Sequence, residues 1–101
     1  MLSPSARAVR RTGDIDVRRE VGERIRRARV AAGLTQEDAA DSAGVDWRRW
    51  QRLEAGRVNA TIRTLVRVSG ALGLTFWALL GARAPKGASA GGRTLRAQRG
   101  Q

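Results

Sequence analysis

Trp47, Arg48, Gln51 and Arg52 fall in one short run whose spacing can gather them on a single side of a helix. At about 100° per residue, counted from Trp47, Gln51, Arg48 and Arg52 fill an arc reaching about 140°. Leu53 and Trp50 lie on the opposite side, near 240° and 300°. Arg49, near 200°, sits at the edge. Guanidinium pairs bidentately with guanine and a glutamine amide with adenine, so this arc suits the major groove of duplex DNA. An ordinary solvated helix face would carry the same residue types, and the setting of the helix has to decide between the two. Catalysis has little to work with. His, Cys and Tyr are all absent, which excludes an imidazole base, a thiol nucleophile and a Cys/His zinc site. Neither enzymatic activity nor a cofactor or metal is expected.

The wider composition agrees. The chain has 101 residues with 20 Lys+Arg against 9 Asp+Glu, a net charge of +11. Every cation except Lys86 is an arginine. A GC-rich genome would give that bias, and guanidinium also suits phosphate and guanine. A charge of this size attracts polyanions, either nucleic acid or an anionic membrane surface. The longest uncharged stretch, Val68 to Ala82, is short of the roughly 20 apolar residues that span a bilayer. No apolar run opens the sequence, and Asp14 and Asp16 argue against a transit peptide. A cytoplasmic, nucleoid-associated protein with no membrane partner is expected.

Three segments follow from where the charge sits. Residues 1–14 read as a flexible basic arm, residues 15–81 as the folded domain, and residues 82–101 as a disordered basic tail. The tail carries Arg83, Lys86, Arg93, Arg96 and Arg99 with no acid and too few apolar residues to order itself.

The middle segment reads as five helices. Val17, Val21, Ile25, Ala28 and Ala32 form the apolar stripe of the first, with Glu20/Arg24 and Glu23/Arg27 as i, i+4 pairs. Gly33 ends it. Thr35 caps a second helix with Asp38 at the capping-box position, and Ala39, Ala40 and Ala43 supply a small-residue inner face. Gly44 marks a turn, and Asp46 caps the third helix, about 46–55, with Val45 placed to staple onto Trp50. Thr61 opens a fourth helix with Ile62, Leu65, Val68 and Leu72 inward, and Thr75 opens a short fifth with Phe76, Leu79 and Leu80 inward. Two helices joined by a tight glycine turn, inside an all-α domain, are the helix-turn-helix arrangement. Trp50 belongs to the core. Trp47 either presses on a thymine methyl or sugar or covers the neighbouring turn.

The motifs R-x-x-R-x-x-x-G-L-T-Q-E at 26–37, A-G-V at 43–45, L-E-A-G-R at 53–57, A-T-I-R-T-L at 60–65 and A-L-G-L at 71–74 stand in order. Over Gly22 to Leu80 the chain thereby resembles the phage-repressor (Cro/CI-type) helix-turn-helix family. Trp47, Arg48 and Ala39 depart from the family's pattern. The resemblance implies a compact five-helix, lambda-repressor-like DNA-binding fold. It implies base contacts from Arg48 and Arg52, with Trp47 and Gln51 beside them, and a phosphate contact from Gln36. Arg29 and Glu54 would form a structural ion pair. Arg57 and Asn59, just beyond the third helix, are further candidates for phosphate, as is Arg49 at its edge.

The function expected is sequence-specific binding of double-stranded operator DNA by a transcriptional regulator, a repressor acting as the homodimer that the family implies. Three other readings compete with it. An antitoxin would use its tail to wrap a toxin and repress its own promoter. An interaction module would keep the fold without reading DNA. A sequence-indifferent binder would depend on the basic tails. With no sensor domain in the sequence, no small-molecule ligand is expected.

Overall fold

Side-chain caps set the start of every helix after the first. The computed structural model describes residues 13–87, and among these there are five helices and no strand: α1 (Asp14–Ala31), α2 (Gln36–Ala43), α3 (Trp47–Glu54), α4 (Ile62–Ala71) and α5 (Phe76–Leu79). Thr35, Thr61 and Thr75 each accept the N–H three residues on, at 3.0–3.1 Å. Asp46 accepts from both Arg48 N and Arg49 N. These side chains satisfy donors that a helix start leaves without an intrahelical partner. At the Thr35 cap the bond runs one way, from the Asp38 N–H to the hydroxyl, rather than as a reciprocal box.

The turn between α2 and α3 depends on Gly44, which stands at φ 68°. That left-handed conformation costs a residue with a Cβ about 1 kcal/mol or more. The turn also returns the Val45 N–H to the Ala40 carbonyl at 2.9 Å, closing the end of α2 before α3 begins.

Ile25, Ala39, Ala40, Ala43, Trp50, Leu53, Val68, Leu72 and Leu79 form one buried cluster. The three alanines of α2 lie within it, and side chains this small let α3 and α4 pack closely on that helix. Ser69 is also buried, and its hydroxyl donates to the Leu65 carbonyl at 2.7 Å.

Several apolar residues expected inside are not. Val17 and Ala32, the ends of the α1 stripe, are exposed, and Ile62 at the start of α4 is 70% exposed. Phe76 is only half-buried and makes an edge-to-face contact with Trp77. Helical periodicity sets the side of a helix that a residue occupies, but not how far along the helix a neighbour extends to cover it. One expected ion pair also changes partner. Arg24 meets Glu20 at 3.0 Å as expected, whereas Arg27 reaches Glu20 at 3.6 Å in place of Glu23. Residues 1–12 and 88–101, which hold nearly all of the expected arm and most of the expected tail, lie outside the described residues.

Candidate nucleic-acid interface

Helix α3 divides into two faces. Trp50 and Leu53 are buried, while Arg48, Gln51 and Arg52 are exposed, Arg49 is half-buried and Trp47 is 45% exposed. Arg48, Gln51 and Arg52, together with Ala55 and Arg57, line an open concavity of about 370 Å³. Among the described residues, none of Arg48, Arg49, Arg52 and Arg57 is in an ion pair. These guanidiniums are free to bind an anion or a base edge.

The expected partners Arg29 and Glu54 do meet. Arg29 Nε donates to Glu54 Oε2 at 2.6 Å and Nη2 to Oε1 at 3.2 Å, with side chains 14% and 5% exposed. Arg29 also donates to the Leu34 carbonyl at 2.9 Å, so one guanidinium ties α1 to the end of α3 and to the approach to α2. Two more donors reach Glu54: the indole N–H of Trp50 at 2.6 Å and Gln36 Nε2 at 3.0 Å. Burial alone pushes the Glu54 carboxyl up. The hydrogen bonds from Arg29, Gln36 and Trp50 and the Arg29 charge outweigh it and hold the group below the ordinary carboxylate range.

The family resemblance points Gln36 toward phosphate and gives no sign of its bond to Glu54. The Trp50 bond has a local signal in the sequence, since residues four apart on a helix are neighbours. Gln36 further accepts from Gln51 Nε2 at 3.4 Å, which brings it to the exposed face of α3. Asn59, two residues beyond Arg57, does not line the α3 concavity. It lines a second groove of about 90 Å³ with Asp14, Val17, Arg18, Val21 and Leu65.

A third feature had no reading in the sequence. Gly22, in the middle of α1, is buried, and a Cβ there would stand 2.5 Å from the Leu53 carbonyl oxygen and 2.6 Å from that of Glu54. Here α1 crosses the end of α3 in close contact.

The profile of the family described as "Helix-turn-helix domain" matches residues 20–75. The chain belongs to the helix-turn-helix family. That match spans all of α2, α3 and α4, and the turn at Gly44 is the turn of the motif. A relative in Sinorhizobium fredii, named "Uncharacterized HTH-type transcriptional regulator y4dJ", is 38% identical over 61 residues, 60% of this chain and 79% of its own. Among solved structures, the restriction-modification controller protein C.AhdI from Aeromonas hydrophila is 30% identical with a TM-score of 0.59, covering 60% of this chain and 92% of its own. The clp gene regulator ClgR from Corynebacterium glutamicum is 28% identical with a TM-score of 0.60, covering 62% and 82%. Among the described residues, no helix is long and apolar enough to cross a membrane, and no group of three or more His, Cys, Asp or Glu could hold a metal ion.

Proposed function

We propose that this DNA-binding transcriptional regulator is a repressor that occupies a two-fold operator as a homodimer, with α3 of each copy in the major groove. Arg48 and Arg52 read guanine edges, and Gln51 and Trp47 contact neighbouring bases. Gln36, Arg49, Arg57 and Asn59 hold phosphates and so set the register of the helix. The observation that carries this reading is the exposed face of α3. Arg48, Gln51 and Arg52 share one concavity with Arg57, and among the described residues no carboxylate pairs with these arginines. A lone helix covers only a few base pairs and discriminates poorly, which favours two copies on two half-sites about one helical turn apart.

The test is a binding titration on the preferred duplex, obtained by selection from random DNA, and on a scrambled one. Arg48→Ala and Arg52→Ala are each expected to cost about 1–3 kcal/mol on the preferred site and to relax choice at one base position, with melting unchanged. Equal losses on both duplexes would make these arginines phosphate contacts and overturn their assignment as readers. A selected motif without two-fold symmetry would overturn the dimer.

A further inference from the structure

A chain of hydrogen bonds through two side-chain amides runs from the buried carboxylate to the exposed face of α3, and each link constrains the next. An ionised carboxylate only accepts hydrogen bonds. Glu54 Oε2 takes the N–H groups of Arg29 Nε and Trp50 Nε1, and Oε1 takes those of Arg29 Nη2 and Gln36 Nε2. Gln36 must therefore turn its NH₂ toward Glu54, because its carbonyl there would set oxygen against oxygen. Its Oε1 is left facing the other way, where it accepts from Gln51 Nε2 at 3.4 Å. Gln51 in turn spends one N–H on Gln36 and keeps its Oε1 and its second N–H.

That remainder has a defined complement. In the major groove adenine presents an N7 acceptor and an N6 amino donor, while guanine presents two acceptors, N7 and O6. One acceptor beside one donor matches adenine, whereas the Gln51 oxygen would oppose O6 of guanine. We propose that Glu54, acting through Gln36, fixes the direction in which the Gln51 amide is presented and thereby makes Gln51 a reader of adenine rather than guanine. Gln36 and Glu54 are then positioning residues for specificity, and Gln36 keeps its second N–H for a phosphate. The inference rests on the reading of α3 as the base-reading helix.

The experiment selects binding sites from random duplex DNA with the full chain and compares base preference position by position. The wild type is expected to favour adenine over guanine by roughly tenfold at one position of each half-site, the discrimination typical of a bidentate pair. Gln51→Ala removes that preference and no other. Gln36→Met, which keeps the length and loses the amide, lets the Gln51 amide turn freely and brings the ratio to within about twofold, the other positions holding. Gln36→Lys makes the sharper test. An ammonium only donates, so it satisfies Glu54 but now requires the Gln51 oxygen, turning the Gln51 NH₂ outward and moving the preference toward guanine. Base preference is a ratio measured on one folded sample, so a modest loss of stability does not move it.

If Gln51→Ala abolishes the adenine preference while both Gln36 variants retain it, the relay is overturned and the base-reading helix stands. A wild-type preference for guanine at the Gln51 position overturns the relay as well. If Arg48→Ala, Arg52→Ala and Gln51→Ala leave every base preference intact, the reading of α3 fails and the inference falls with it.

Discussion

Trp50 and Glu54, one turn apart on α3, are joined by a 2.6 Å hydrogen bond from the indole N–H to the carboxylate. Trp50 is fully buried, and a buried indole needs a partner for its one donor. Glu54 meets that need while also holding Arg29 of α1 and Gln36 of α2. The same carboxylate thus serves the core, the angle between helices and the exposed face.

The two tryptophans of α3 should behave in opposite ways. Trp50→Ala is expected to cost about 3–5 kcal/mol, enough to unfold a small domain. Trp47→Ala, at a side chain 45% exposed, should keep the fold and weaken DNA binding. Thermal melts of both variants check this, and an unfolded Trp47 variant beside a folded Trp50 variant would reverse the register of α3.

Losing one member of the buried pair should be costly. Arg29→Ala leaves the Glu54 carboxylate, only 5% exposed, without its charge partner, for which about 3–5 kcal/mol of destabilisation is expected. Since Trp50 and Gln36 still donate to that carboxylate, the lower end of the range is the expected outcome. Urea denaturation of Arg29→Ala, Glu54→Gln and the double variant gives the coupling, and strictly additive losses would show that the two side chains do not interact.

The lowered Glu54 pKa makes part of the stability pH-dependent. A carboxyl with a folded value below its unfolded one, about 4.3 for glutamate, contributes stability that is fully present above the unfolded value. That contribution is lost as pH falls through the folded value. Wild-type stability should therefore drop below about pH 4.3, and Glu54→Gln should start lower at neutral pH and show a shallower acid limb. Parallel acid limbs for the two proteins would remove Glu54 as a source of the dependence.

Gly22 provides a test in which two effects oppose each other. Helix propensity alone favours Gly22→Ala by about 1 kcal/mol. The contact of a Cβ with the Leu53 and Glu54 carbonyl oxygens at 2.5 and 2.6 Å acts the other way, because overpacking costs typically 1–3 kcal/mol and here falls on backbone. Net destabilisation is expected in a thermal melt, and a raised melting temperature would mean that α1 moves away from α3 at little cost.

The basic end of the chain should act through counterions. Residues 82–101 add Arg83, Lys86, Arg93, Arg96 and Arg99 with no acid. Deleting them should flatten the dependence of affinity on salt, by about 0.9 in the log–log slope for each phosphate no longer neutralised. Binding to the preferred and random duplexes should weaken together, with their ratio kept. An unchanged slope would show that the tail makes no phosphate contact.

The starts of α2 to α5 were legible in the sequence because capping acts within three or four residues. Thr35, Asp46, Thr61 and Thr75 cap where their neighbours say they should, and Gly44 turns where only a short link is available. The two faces of α3 were legible for the same reason: helical period alone separates Trp50 and Leu53 from Arg48, Gln51 and Arg52. Tertiary structure alone decided which apolar stripes find cover. Val17 and Ile62 carry the right period but stay exposed, because burial requires a neighbour that period does not supply. It also decided that Gly22 lies against the end of α3, and that Gln36 and Gln51 stand in line with Glu54. Those contacts join residues 15 to 32 positions apart, and a local pattern has no means of specifying a distance between two helices that meet only when the chain has folded.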